Sequence, residues 1–237
     1  MKRSAEHVFA PDGPRPLPWS ARDVIAALTP VTLPERVARI ERAVAARITS
    51  VVCVVESLVD PHNASAILRT CDGLGVHEVD VIEPDVRVLM NTRVTKGCEK
   101  WMDLRRHTSA TDCASALRAR GFALFVADMR ATRSLDEIAG EPAIALAFGN
   151  EHAGISTALR SAADGAFAVP MRGMVESFNV SVAAAIALAR VTAGRGGGDL
   201  SAANAEELTA RYLLESVREA ELVVERYIRD RATATSG

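Results

Sequence analysis

Val51-Val52-Cys53-Val54-Val55 is a short, continuous and almost wholly β-branched run. A strand with one wet face alternates apolar and polar residues, so an unbroken run predicts a strand covered on both faces, as in a parallel sheet. Working outward, apolar runs of similar length recur at 79–82, 122–127, 143–148 and 166–169, with helical spacings between them at 64–74, 111–120, 154–163 and 178–192. Strands alternating with helices predict a mostly parallel α/β sheet with helices on both faces. Upstream, Val37, Ile40, Val44 and Ile48 recur every three or four residues, which predicts an amphipathic helix over 34–48 carrying Arg36, Arg39, Arg42 and Arg47. Downstream, a glycine run at 194–198 precedes one long amphipathic helix predicted over 205–230. The expected organisation is an extended leader over 1–20, holding Pro11, Pro14, Pro16 and Pro18, a sheet domain with its N-terminal helical segment over 21–194, and a glycine linker with a terminal helix over 195–237.

With 237 residues, 49 % hydrophobic and 24 % charged, the chain has material for one sizeable core, which excludes wholesale disorder. A net charge of -2 excludes a protein that holds nucleic acid by bulk charge alone, so a polyanion partner needs a local patch. No stretch reaches the roughly 20 apolar residues that span a bilayer, and the N-terminus lacks the apolar run of a secretory signal, so a cytoplasmic protein without membrane contact is expected. Cys53, Cys71, Cys98 and Cys113 include no C-x-x-C pair and read as small buried residues, and the five scattered histidines point to no metal site.

In an open parallel sheet, ligands gather at the carboxyl ends of the strands. Three polar clusters fall there: Glu56 with Asp60-Pro61-His62-Asn63 and then Arg69; Gly149-Asn150-Glu151-His152-Ala153-Gly154; and 170–181, which feeds Ser177, Asn179 and Ser181 into an Ala-rich helix. Each alone has a plain structural reading. Asn63 reads equally as an N-cap, the paired glycines as a strand-to-helix turn, and the alanines as close helix packing. The dinucleotide fingerprint, the Walker loop, H-E-x-x-H and G-x-S-x-G are absent from the sequence.

Taken together, D-P-H-N-A-S-A-I-L-R-T (60–70), F-G-N-E-H-A-G-I-S (148–156) and V-P-M-R-G-M-V-E-S-F-N-V-S-V-A-A-A (169–185) resemble the three motifs of the SpoU/TrmH branch of the SPOUT RNA methyltransferases. The resemblance extends over about 34–194, and the segments at 75–79 and 96–107 resemble most the branch's tRNA guanosine 2′-O-methyltransferases. It implies a SPOUT α/β knot with a C-terminal trefoil knot, a homodimer, and S-adenosylmethionine as cofactor. By position, it implies that Asn63, Arg69, Glu151, Ser177 and Asn179 are catalytic or RNA-positioning, and that Ala127, Gly149, Glu151, Val169, Met171 and Phe178 line the cofactor pocket, with no metal. Phe178 and Ala127 depart from the leucine and threonine common in the family.

The implied reaction is 2′-O-methylation of a ribose in structured RNA, with the tRNA D-loop guanosine preferred. The alternatives are a ribosomal RNA target, including the antibiotic-resistance type, and a non-catalytic RNA-binding protein. Charge adds local support for RNA: six Lys/Arg between Arg87 and Arg106 face only Glu99 and Asp103, with Trp101 among them as a stacking platform. Arg36, Arg39, Arg93, Lys96, Lys100, Trp101 and Arg105 are the expected RNA contacts. The terminal helix, with seven Asp/Glu against four Arg over 205–230, is a poor match to a tRNA-holding role.

Overall fold

The computed structural model describes residues 16–82 and 97–235. Most of the leader, together with Arg93 and Lys96, lies outside the described residues. The described chain divides into two compact units, one spanning 48–196 and the other made of 16–47 with 197–235. This partition differs from the one read along the sequence, because the N-terminal helical segment groups with the chain's end and not with the sheet.

The first unit is built on six parallel strands: β1 (Ile48–Glu56), β2 (Val76–Ile82), β3 (Asp103–His107), β4 (Ala123–Ala127), β5 (Ile144–Phe148) and β6 (Gly165–Phe167). Their order across the sheet is β3-β2-β1-β5-β4-β6. The opening run is central, pairing with β2 on one side and β5 on the other. Its Val51, Cys53 and Val55 join one core, and Val52 and Val54 join the core on the opposite face. All are buried, which is why the run shows no alternation.

The first face is covered by α3 (Pro61–Gly73) and α7 (Val180–Ala193), through Ile67, Leu68, Cys71, Ala184, Ala187, Leu188 and Val191. The second is covered by α4 (Ala110–Ala119) and α6 (Thr157–Ala162), through Cys113, Ala114, Leu117 and Leu159. A short helix α5 (Leu135–Ile138) adds Leu135 and Ile138 to the first face. The alanines of α7 let it pack closely on α3, so the bland reading of that segment also holds. All four cysteines are free and buried.

The edge strand β3 was not predicted, since Asp-Leu-Arg-Arg-His has too little apolar character to read as a strand. It forms because its polar side chains meet partners on β2: Arg105 lies 3.2 Å from Glu78, and His107 3.0 Å from Asp80. Cross-strand polar pairing replaces apolar burial here.

In the second unit, α1 (Ala21–Leu28) and α2 (Pro34–Ala45) pack with α8 (Ala202–Ser216) and α9 (Ala220–Thr235). Their buried side chains include Leu28, Ile40, Val44, Leu208, Leu213 and Val224. The single terminal helix of the sequence reading is therefore two, separated by an extended Val217 and by Glu219 at φ +55. Neither Gly nor Pro marks the break in the sequence. It lets the apolar stripes of α8 and α9 both lie against α1. The glycine run also has a packing role: a Cβ on Gly198 would stand 2.3 Å from the Ala45 carbonyl oxygen, to which the Gly198 amide donates at 3.1 Å.

Candidate active site

The three polar clusters meet through one side chain, the amide of Asn63. At the start of α3, Asp60 caps the helix by accepting from the His62 amide at 2.8 Å, and Pro61 occupies the first turn. This turn directs Asn63 inward, where it is buried. Asn63 Nδ2 donates to Glu151 Oε1 at 2.8 Å, while its Oδ1 accepts from Asn179 Nδ2 at 3.1 Å. The other Glu151 oxygen accepts from the Val59 amide at 3.0 Å, and Oε1 also accepts from the Asp60 amide at 3.2 Å. Asn179 in turn caps α7, its Oδ1 accepting from both the amide and the hydroxyl of Ser181. One residue from each cluster thus holds a single hydrogen-bonded chain.

Partial burial pushes the Glu151 carboxyl upward, but the bonds from Asn63 and from the Val59 and Asp60 amides outweigh it and leave its pKa below the usual carboxylate range. Glu151 is an ionised acceptor, and its charge fixes which way the Asn63 amide faces.

The loop carrying Glu151 is folded tightly. Asn150 and Gly154 bond to each other through both backbone groups, with Gly154 at φ +68. A Cβ on Gly149 would come within 2.4 Å of the Gly154 carbonyl, so only glycine fits there. Asn150, absent from the sequence-derived site, accepts from the His152 and Ala153 amides and donates to the Ser57 carbonyl at 2.7 Å, tying this loop to the end of β1. Glu56, buried at that strand end, accepts from the amide and hydroxyl of Ser156 and so pins the loop's far side. An Asn between Gly and Glu just past a buried strand was the available signal.

Of the expected cofactor residues, Ala127 ends β4, Gly149 follows β5 and Val169 follows β6, three adjacent strands, along one carboxyl edge. Ala127 and Val169 are half-buried and rest on the first-face core. Met171 and Phe178 are half-buried in the loop after β6. Among the described residues, no hydrogen bond is made by the main chain from Val169 to Phe178. The edge therefore pairs an apolar wall with a row of free backbone donors and acceptors, a donor set suited to a small ligand with a flat base and polar substituents.

Other expected residues stand apart. Arg69 is exposed, six residues and about 600° of helical rotation beyond Asn63, so it faces another side of α3 and makes no hydrogen bond or ion pair among the described residues. Ser177 is exposed and likewise unbonded among the described residues. Lys100 is exposed and Trp101 half-buried, whereas Arg105 turns to the sheet and its ion pair with Glu78. In the second unit Arg36 and Arg39 are exposed on α2, while Arg47 is buried and donates to the Tyr212 hydroxyl at 2.8 Å. Arg47 is therefore a packing residue, not part of a basic face.

Comparison with known proteins places these features. A family model described as the SpoU rRNA Methylase family matches residues 50–189. A Thermus thermophilus protein named tRNA (guanosine(18)-2′-O)-methyltransferase is 38 % identical over 151 residues, covering 63 % of this chain and 78 % of its own. Among solved structures, an A. aeolicus TrmH/SpoU tRNA modifying enzyme aligns with a TM-score of 0.69 and 26 % identity, over 78 % of this chain and 98 % of that one. The SpoU methyltransferase AviRb from Streptomyces viridochromogenes, solved with AdoMet, aligns with a TM-score of 0.55 and 26 % identity over 62 % and 58 %.

Proposed function

The chain belongs to the SpoU methylase family, and from that membership we propose that it methylates the 2′-hydroxyl of a ribose in tRNA, the D-loop guanosine, using S-adenosylmethionine. The observation that carries this reading is the Glu151–Asn63–Asn179 chain, which draws all three motif segments to one edge of the sheet. The free main chain of 169–178 and the apolar surface of Ala127 and Val169 fit the cofactor's polar groups and adenine, with Gly149, Met171 and Phe178 completing the cradle. When bound, S-adenosylmethionine supplies a methyl group already activated on a sulfonium, and no metal is needed for this step. In the family's arrangement the cradle is a trefoil knot, and we assign the same threading to 149–179.

The chain's own residues must align the ribose oxygen for in-line attack and assist loss of its proton. Asn63, held at both ends, presents one fixed amide edge to ribose or phosphate. Ser177 and Asn179 fix the motif loop against the substrate. A guanidinium has a pKa above about 12, so Arg69 serves by gripping a phosphate and stabilising the forming alkoxide, not as a base. Lys100, Trp101, Arg36 and Arg39 contact RNA, as do Arg93 and Lys96.

A homodimer is part of this reading: Val182 and Ile186, one turn apart on α7, are 45 % and 39 % exposed, an apolar pair suited to a second copy. No described helix is long and apolar enough to cross a membrane, in keeping with work in the cytoplasm. Incubation with labelled methyl donor and separate pools of unmodified tRNA and ribosomal RNA tests the proposal. An alkali-resistant dinucleotide mapping to the D-loop of tRNA is expected. Label in ribosomal RNA alone would move the target, and label in neither would refute the activity.

A further inference from the structure

Away from the candidate active site, on the sheet face covered by α4, three side chains with metal-ligating atoms converge. Asp80 of β2, His107 at the end of β3 and Cys113 of α4 place one ligand atom each within 4.8 Å of the others. His107 Nε2 stands 3.0 Å from Asp80 Oδ2, and Cys113 Sγ stands 3.9 Å from the same oxygen. Asp80 and Cys113 are wholly buried and the His107 side chain is 10 % exposed. The second Asp80 oxygen, Oδ1, is buried and has no hydrogen-bond partner among the described residues. A carboxylate oxygen left unpaired inside a protein is costly, and a bound cation or a water satisfies it.

Glu56, Glu78 and Asp80 are all buried near Cys113; Arg120 and Arg105 form ion pairs with Glu78, and although Arg120 also feels the charge of Asp80, no arginine hydrogen-bonds Asp80 or Glu56 among the described residues. Tetrahedral zinc with bonds of about 2.0 Å to oxygen, 2.1 Å to nitrogen and 2.3 Å to sulfur has ligand-to-ligand edges of roughly 3.3–3.6 Å. The observed 3.0 and 3.9 Å bracket that range, so small side-chain shifts suffice.

We propose that Asp80, His107 and Cys113 form a zinc site, each residue giving one ligand atom (oxygen, nitrogen and sulfur), with a water as the fourth ligand donating to the otherwise unpaired Oδ1 of Asp80. The mixture of thiolate, imidazole and carboxylate suits Zn²⁺ over the hard cations. On binding, the Cys113 thiol gives its proton to solvent, the imidazole proton that bonds Asp80 leaves Nε2 so that the ring keeps its proton on Nδ1, and the Asp80–His107 hydrogen bond is exchanged for one metal bond to each residue. Such a site would fasten the polar edge strand β3 to β2 and α4. The sequence hides it, because positions 80, 107 and 113 match no spacing motif and meet only through the parallel register that sets Ile82 opposite His107.

Chelator-treated full-length protein is mixed with Co²⁺, and separately with Zn²⁺ followed by gel filtration and metal analysis. The expected results are about one retained equivalent of zinc per chain and a sulfur-to-cobalt charge-transfer band in the near ultraviolet. Cys113→Ser should abolish that band. His107→Asn should weaken Co²⁺ binding by more than the roughly 10–100-fold that loss of an outer-shell partner costs. Folded wild-type protein that retains no zinc and shows no band overturns the proposal, whatever the variants do. A band that survives in Cys113→Ser overturns it equally, since the metal would then sit on another thiol.

Discussion

Replacing Asn63 by aspartate leaves the side-chain volume almost unchanged, and it strikes the contact that joins the three motif segments. Asn63 Nδ2 donates to Glu151 Oε1 at 2.8 Å, so the variant sets two carboxylate oxygens face to face at that distance. Two unit charges so placed repel by about 1.5 kcal/mol with the screening of bulk water and by about 6 kcal/mol at the dielectric typical of a protein surface. The chain escapes the upper figure by binding a proton, which for an ordinary aspartate costs about 4 kcal/mol at pH 7. A destabilisation of about 2–4 kcal/mol at neutral pH follows, or roughly 5–15 °C in melting temperature for a unit of this size. The sign with pH is fixed: the pair's raised pKa means the folded variant holds more protons than the unfolded chain, so its stability falls as pH rises through that value and recovers in acid. Melting wild type and variant at pH 5 and pH 8 measures this. A second change, Glu151→Gln, should restore part of the loss by letting the new amide donate to the introduced carboxylate in reversed polarity. Equal melting deficits at both pH values, or no rescue, would refute the coupling of these two residues.

Arg69→Lys should lose most methyl transfer in a labelled-donor assay while melting like wild type, because the residue is exposed and the planar fork, not the charge, is what lysine lacks. Gly149→Ala should cost about 1–3 kcal/mol or more, since its Cβ would meet backbone at 2.4 Å, and calorimetry should show cofactor uptake lost with it. Arg195→Ala should destabilise the sheet unit by about 2–3 kcal/mol in denaturant titration, as its guanidinium donates to the carbonyls of Ala139, Glu141 and Pro142 just before β5. Binding of tRNA should weaken steeply with salt, and a flat dependence would remove phosphate contacts from the account.

What the sequence determined by itself is local or periodic. The unbroken apolar run at 51–55 required a strand buried on both faces, and the alternation of runs and helices required a parallel sheet, because both follow from which side chains must leave water. Cluster positions at strand ends were equally legible. What only the tertiary structure decided depends on partners distant in the chain. Strand β3 exists because β2 offers Glu78 to Arg105 and Asp80 to His107, and no local propensity encodes that. The break between α8 and α9 comes from packing both on α1, and Arg47 is a core residue because Tyr212 receives it. At the site, Asn63 was visible as a helix-start residue, but its role depends on Glu151 and Asn179 arriving from 88 and 116 residues away. A hydrogen bond has direction and reach, neither of which spacing along a sequence can supply.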